Sequence, residues 1–458
     1  MATFLLPQVP ITTIDAYLAS EVGGRGIERA QQLGPAGTRD VITAAGLRGR
    51  GGGGFPTGRK WDTIAAGEGR RFVACNGAEG EPGTFKDRAL MQANPYQLVE
   101  GVIIAAFAVG AERAYICIKE LYFEERQRVT RAVQEMQQAG VCTDCEIAIV
   151  AGPDEYLFGE EKALLEVIEG NAPLPRLFPP HEHGLFATTP TSGWETSMPR
   201  SAPGAQSNPT LVNNVETLSN VPHILAHGAD WFRTMGTAQS PGTIVVTVTG
   251  DVVAPDVGEV ELGVSLRDAI DAVGSGLPPG RAVKAILSGV ANPVMTAAAL
   301  DAPVTYEGIA AAGSGLGSAG FIVLDDTACM VQVALNCSRF LAVESCGQCP
   351  PCKQGSLEIT QRLERIEGGV GRDDDLEQIA HWLDRVTDAN RCFLGTEERQ
   401  VVTSILQAFP DEIAEHLKGA CPRPRRLPIW KLRDLRDGIA TYDESFWRKR
   451  PDWTYEPG

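Results

Sequence analysis

Residues 40–61 read DVITAAGLRGRGGGGFPTGRKW. A glycine run here follows a helical pattern instead of a strand, and that order decides how the N-terminal half is read. Gly49-x-Gly51-x-x-Gly54 has the spacing of a dinucleotide fingerprint, which requires a strand before it and a helix after it. Gly53 to Gly58 has the spacing of a phosphate-binding P-loop, but Arg59-Lys60 stands where Lys-Ser/Thr is needed. Both templates are rejected on context. A third match, Gly315-x-Gly317-x-x-Gly320, precedes a strand pattern instead of following one. What remains is physical. Gly46, Gly49, Gly51, Gly52, Gly53 and Gly54 let backbone approach a flat or polyanionic ligand without Cβ clashes. Arg50, Arg59 and Lys60 add positive charge beside them. Phe55, Pro56 and Trp61 argue against a merely flexible surface loop.

Around this loop the chain alternates as α/β layers do. Strand-like runs are expected at 72–75, 114–118 and 146–151, with helical patterns at 94–110 and 124–138. A second cluster, Asn76-Gly77-Ala78-Glu79-Gly80-Glu81, directly follows the first of these strands. The C-terminal end of a strand is where α/β folds place ligands. Asn76 donates and accepts, while Glu79 and Glu81 suit a sugar hydroxyl or a carboxamide. Residues 171–210 are rich in Pro, Ser, Thr and Gly, a long irregular stretch of the kind that covers a site or a partner. From Gly242 short strands surround one helix, and beyond Ala328 the pattern is helical.

Residues 344–355, ESCGQCPPCKQG, set Cys346, Cys349 and Cys352 two residues apart. Three thiolates so spaced in a Gly/Pro turn suit one face of an iron–sulfur cubane, and Cys392 in RCFLG is the natural fourth ligand. A zinc site is the competing reading, although zinc sites usually pair two CxxC knuckles. Cys142-x2-Cys145 has no partner knuckle nearby. Cys75, Cys117, Cys329 and Cys337 lie in apolar runs and read as core.

The 458 residues suffice for two to four domains. With 41 Lys+Arg against 58 Asp+Glu, the net charge of −17 argues against nucleic acid or an anionic membrane as main partner. Glycine, 50 of 458, exceeds the usual share of about 7%, and the surplus sits in clusters. Eleven cysteines, an odd number unevenly spaced, do not make a secreted disulfide framework. No signal peptide is indicated, and the longest apolar stretch, 102–110, is too short to span a bilayer. A cytoplasmic protein is expected, with membrane association only through partners. The tail 422–458 reverses the charge, with nine Lys/Arg against six Asp/Glu plus Trp430, Trp447 and Trp453; it reads either as a docking surface or as a packed extension.

Five motifs occur in one order: GRGGGGFPTGRKW, CNGAEGEPGTFKDR, YLFGEEKALLE, PTLVNNVETLSNVP and ESCGQCPPCKQG with a later Cys-x-Leu-Gly. Their combination resembles the NADH-binding flavoprotein subunit of respiratory complex I and the related diaphorase subunits of NAD-dependent formate dehydrogenases and hydrogenases. The resemblance implies FMN, NAD(H) and a [4Fe–4S] cluster. It implies flavin contacts at Gly49, Arg50, Gly51, Gly52, Gly53, Gly54, Lys60, Asn76, Gly159, Asn213 and Asn214. It places NADH near Phe55, Lys60, Glu81, Glu160 and Glu161, with Glu79 and Tyr156 also in the cofactor site and Phe178 under the adenine. Glu81 and Glu161 serve as positioners for hydride transfer, and Cys346, Cys349, Cys352 and Cys392 hold the cluster. The implied architecture is an α/β flavin domain (1–238), a small α+β, β-grasp-like domain (239–326) and an all-α iron–sulfur domain with its basic aromatic tail (327–458). A thioredoxin-like [2Fe–2S] subunit and further electron-transfer subunits are the implied partners. Ala78 stands where the family usually has Asp, Phe158 where it usually has Cys, and 187–208 looks inserted. These departures keep a non-catalytic, zinc-binding scaffold as the reading from a different class.

Overall fold

The strand β1 (Phe72–Gly77) carries FVAC buried on both faces, the continuous apolar run that a central parallel strand requires. Around it a computed structural model describes residues 3–141, 145–189, 205–419, 421–423 and 425–456. The chain packs as two compact units. The first gathers residues up to Gly80 with Lys86–Val245 and Glu259–Gly263; the second gathers Glu81–Phe85, Val246–Gly258 and Val264 onward.

In the first unit α1 (Ile14–Leu18), α2 (Arg25–Ala45) and α3 (Thr57–Ala66) precede β1. Then come α4 (Lys86–Ala93), α5 (Pro95–Val109), β2 (Arg113–Lys119), α6 (Phe123–Gln138), β3 (Glu146–Gly152), α7 (Glu161–Ile168), β4 (Thr210–Asn214), α8 (Val215–His227) and α9 (Ala229–Arg233). The three expected strands are present, each a residue or two longer than its apolar run. The fourth, β4, begins where the irregular segment 171–210 ends and is not among the expected strands. The strand order is β3-β2-β1-β4, and β1 runs parallel to both β2 and β4. Because β2 and β3 extend the sheet one way and β4 joins the other edge of β1, the direction of winding switches between β1 and β4. Local chemistry sets the helix ends. Asn94 accepts the Gln97 N–H and Pro95 starts α5, which stops at Gly110 in the left-handed region (φ 68°). Gly34 and Pro35 kink α2.

In the second unit a five-stranded sheet runs β6-β5-β9-β7-β8, built from β5 (Thr243–Gly250), β6 (Asp256–Glu261), β7 (Val283–Ser288), β8 (Met295–Thr296) and β9 (Gly320–Asp325). β5 and β9 are parallel, while β7 is antiparallel to β9 and β8. The helices α10 (Leu266–Gly274) and α11 (Tyr306–Ala311) accompany this sheet. The helical part comprises α12 (Met330–Glu344), α13 (Pro350–Glu367), α14 (Asp375–Arg385), α15 (Leu394–Ala408) and α16 (Pro410–His416). Sheet and helices share one unit because they are bonded together: the Val294 N–H donates to Ser404 Oγ at 2.9 Å, and Lys284 pairs with Glu412.

The basic tail is a packed extension. It forms the antiparallel hairpin β10 (Leu432–Arg436) and β11 (Ile439–Tyr442); Trp430 is buried, and Trp453 Nε1 donates to the Val343 carbonyl at 3.0 Å. Lys449 and Glu344 form a fully buried ion pair at 2.8 Å. Of the proposed insert, residues 190–204 lie outside the described residues, as does Cys142. No helix among the described residues is long and apolar enough to cross a membrane.

The helices α5 and α8 approach closely at Gly101, where a Cβ would sit 2.0 Å from the Leu218 carbonyl oxygen. That oxygen is backbone and cannot step aside. Gly101→Ala is therefore expected to destabilise the first unit by about 1–3 kcal/mol, read as a lowered midpoint in denaturant unfolding.

Candidate functional site

In an open parallel sheet the crevice at a winding switch, outside the strand C-termini, is the natural ligand site. Here that crevice lies beyond Asn76 on β1 and Asn213–Asn214 on β4, and the glycine loop meets it. A Cβ on Gly51 would stand 3.1 Å from Asn214 Cβ, so only glycine lets the loop lie this close. Gly52 (φ 120°) and Gly54 (φ 57°) adopt backbone that favours glycine, and a Cβ on Gly53 would meet open space. The loop leads straight into α3, whose Thr57 hydroxyl is buried without a partner among the described residues. A glycine cradle against a sheet edge and a helix start with a spare hydroxyl suit a flat, phosphate-bearing ligand.

The asparagines are held in place by the protein. Asn213 Oδ1 accepts from Trp61 Nε1 at 2.8 Å. Asn214 caps α8 by accepting the Glu216 N–H, and its Nδ2 donates to Asp87 at 2.6 Å. Asn76 Nδ2 donates to the Gly159 carbonyl at 2.7 Å, tying β1 to the Tyr156–Gly159 turn. Beyond that turn Glu160 caps α7 by accepting the N–H groups of Lys162 and Ala163, and burial pushes its carboxyl up to about 7. Lys60 reaches across to Glu161, Nζ to Oε2 2.9 Å, and both side chains stay partly exposed. Phe55 is half exposed, with Arg59 over its ring.

Two expected ligand groups have other duties. Arg50 carries no charge into the crevice: its guanidinium is sealed inside the protein, donating to the carbonyls of Arg48, Pro241 and Thr243. Glu79 is likewise buried, accepting the N–H groups of Asp87 and Arg88 and pairing with Arg88 at 3.2 Å. Burial and Asp87 raise its pKa, with Arg88 and Lys86 opposing. Its place is structural, at the start of α4. Glu81 belongs to the second unit, where its carboxylate accepts the Val290 N–H. Phe178 is half-buried in the first unit.

Composition and motif spacing miss a buried charge network. Glu216, Lys86, Arg50 and Asp87 lie within it, with Lys86 Nζ 2.9 Å from Glu216 and 2.8 Å from Asp87. These anions raise the Lys86 pKa against burial, so the ammonium stays charged. The signal lies in FKDR and VNNVET, whose charges look no different from those of a solvated face.

In the second unit Gly347 (φ 79°) turns the chain between Cys346 and Cys349. Cys349 is the residue before α13 and Cys352 lies in its first turn, so regular helix begins inside a motif whose composition suggests an irregular turn. Pro350 at the first helical position makes this possible, since its missing N–H would have had no helical partner. Glycines close in sequence to Cys352 and Cys392 pack on one residue. Gly355, one turn after Cys352, lies against Val386, and Gly395, just past Cys392, lies against the Val386 carbonyl. None of the four cysteines is in a disulfide. Their sulfurs do not form a group of ligand atoms within 4.8 Å of one another, unlike the set Cys329, His416 and Cys421. A single tetrahedral zinc, with Zn–S of about 2.3 Å, holds its sulfurs about 3.8 Å apart. A cubane binds its thiolates at separate corners instead, one cysteine to each iron. Nearby, burial pushes Glu398 up to about 8.

Residues 42–223 match the family described as the Nuo51 FMN-binding domain, and residues 332–416 match the NADH-ubiquinone oxidoreductase-F iron-sulfur binding region. The chain is similar to the F subunit of NADH-quinone oxidoreductase from Streptomyces coelicolor, 37% identical over 435 residues covering 92% of each chain. It is also similar to the NADP-reducing hydrogenase subunit HndC of Solidesulfovibrio fructosivorans, 34% identical over 422 residues, 90% of this chain and 82% of that one. A solved NAD+-reducing [NiFe]-hydrogenase in the air-oxidized state superposes with a TM-score of 0.77 at 31% identity, over 89% of this chain and 67% of that chain.

Two outcomes follow from the geometry. Glu216→Gln leaves two buried cations under-compensated, and a loss of about 3–5 kcal/mol is expected, read by chemical unfolding of the purified chain. Glu160 ionises near neutrality, so raising the pH from about 6 to about 8 adds negative charge beside the crevice. KM for an anionic dinucleotide should rise a few-fold over that range, and Glu160→Gln should flatten the profile.

Proposed function

The chain belongs to the family of NADH-quinone oxidoreductase F subunits, and from that premise we propose how its own residues divide the labour. It is an NADH dehydrogenase (diaphorase) subunit that uses FMN, NADH and a [4Fe–4S] cluster. When bound, FMN would supply hydride acceptance from the nicotinamide and single-electron release, chemistry that belongs to the cofactor. The protein's part is to bind, orient and shield.

The observation that carries the assignment of residues is the glycine cradle seated at the β1–β4 switch, with Asn214 beneath Gly51. In this reading Gly49, Gly51, Gly52, Gly53 and Gly54 admit the flavin's edge and phosphate. Asn76, Asn213, Asn214 and the Tyr156–Gly159 turn fix the isoalloxazine side. Lys60, paired with Glu161, is the positive group for anionic ligands, and Arg59 beside Phe55 assists it. This local charge does the work that the acidic surface opposes. Glu160 and Glu161 orient the dinucleotide; Glu81, held by the Val290 N–H, is a further positioner, and Phe178 takes the adenine. No side chain has to gain or lose a proton for hydride to move, so these residues are positioners.

Cys346, Cys349, Cys352 and Cys392 hold the cluster. Ala78 is buried and packs in the same apolar cluster as Phe158, so the two departures from the family pattern fill core and leave the cradle intact. We read the chain as three domains in function, with the small sheet as a β-grasp-like module that follows the flavin domain and precedes the cluster domain in sequence. A cytoplasmic protein is proposed, in a complex with a thioredoxin-like [2Fe–2S] subunit and further electron carriers. A second reading keeps the same chemistry and changes the assembly. The similarity to HndC and to the NAD+-reducing hydrogenase supports a diaphorase serving a hydrogenase, and a formate dehydrogenase is the analogous case.

Purified holoprotein should show flavin absorbance, close to four iron per chain and NADH-driven ferricyanide reduction. A chain with zinc in place of iron and no ferricyanide activity would overturn the proposal. Cys349→Ala should abolish electron delivery to partner subunits while NADH still bleaches the flavin in a stopped-flow experiment. Equal loss of both would make the cysteines merely structural.

A further inference from the structure

Cys329 immediately precedes α12, His416 ends α16 and Cys421 follows five residues later. These residues have no part in the cofactor sites above. Their three ligand atoms all lie within 4.8 Å of one another. Cys329 and His416 are buried, and Cys421 is partly so. Cys329 Sγ stands 3.3 Å from His416 Nε2. In a tetrahedral site with Zn–S of about 2.3 Å and Zn–N of about 2.0 Å, that edge is about 3.5 Å.

Two details go beyond close packing. His416 Nδ1 lies 2.7 Å from the Glu412 carbonyl oxygen, which can only accept, so Nδ1 carries the proton and Nε2 presents its lone pair to the sulfurs. That is the outer bond by which a protein orients a ligating imidazole. Cys421 Sγ accepts the Arg423 N–H at 3.3 Å and also lies 3.2 Å from the Arg423 carbonyl oxygen. The first of these contacts suits a thiolate, the second a thiol, so the sulfur is held in place in either state.

We propose that Cys329, His416 and Cys421 bind a single thiophilic divalent cation, zinc by its chemistry, with an exchangeable ligand completing the coordination. Two thiolates and a neutral imidazole neutralise the ion's charge, the balance a buried site needs. Such a site staples the start of α12 to the end of α16 and to the chain that leads into the β10–β11 hairpin. Ligands separated by 87 residues cross-link a part of the second unit that is otherwise held by non-covalent packing.

Metal analysis of the full-length holoprotein, purified without chelator, tests this. One zinc per chain is expected beside the cluster iron. His416→Gln and Cys421→Ser should each lower the zinc by at least about tenfold, with iron and flavin unchanged. Should those variants not fold, zinc-edge X-ray absorption on the unaltered protein decides. Two sulfurs at about 2.3 Å and one imidazole nitrogen at about 2.0–2.1 Å support the site. An all-sulfur shell would mean zinc misloaded among the cluster cysteines and overturn it. So would zinc below a tenth per chain after zinc supplementation, or a Cys329–Cys421 disulfide in peptide mapping.

Discussion

Glu216 is the residue on which the flavin half depends. Wholly buried at the start of α8, it faces Lys86, approaches Arg50 and accepts the Val245 N–H at 2.8 Å. Four segments distant in sequence meet there: the glycine loop, the start of α4, the β4–α8 turn and the start of β5. Charges of this kind are stable inside a protein only when paired and fully bonded, so the arrangement costs much if any member moves. That penalty gives the glycine loop a position despite its composition. Six glycines in nine residues would otherwise be among the least ordered backbone in the chain. Arg50 anchors the loop from within, and the glycines beyond it face the crevice.

The same division explains why charge near the site is misread from sequence. Arg50 and Glu79 sit in motifs dense with ligand-binding residue types, and sequence conveys charge without conveying burial. The fold puts both inside, where an arginine fork satisfies three carbonyls and a glutamate closes the first turn of α4. Lys60 and Glu161 are near each other in space yet a hundred residues apart in the chain; only the motif match links them. The strands β1 and β2 are legible because apolar runs buried on both faces have few other uses, and the half-buried β3 is legible from its apolar run EIAIVA. β4 is not, since TLVNN is five residues long and ends in two asparagines that a strand scale disfavours. Parallel pairing with β1 overrides that preference.

The cysteines show the opposite limit. Cys346, Cys349 and Cys352 announce themselves because their spacing is itself the chemistry. Cys329, His416 and Cys421 do not, because packing of α12 against α16 brings them together and no local pattern encodes that. A cysteine in an apolar run reads as core, and Cys75, Cys117 and Cys337 are core. Cys329 differs only in its neighbours. Ligand sets made by tertiary contact are invisible to spacing rules, which work where the loop carrying the ligands also shapes the site.

The two redox sites proposed for this chain are built in different ways. The cradle proposed for the flavin is mostly backbone, from glycines and strand ends, and side chains such as Asn76 and Trp61 brace it by bonding to other parts of the protein. Ala78 and Phe158 pack in one apolar core cluster, and neither forms part of the glycine loop. The proposed cluster site rests instead on four cysteine side chains, with Gly347 turning the chain between Cys346 and Cys349. Single side-chain changes should thus be graded in the first and all-or-none in the second, because a cubane missing one thiolate loses a covalent bond while a cradle missing one amide loses one contact among many.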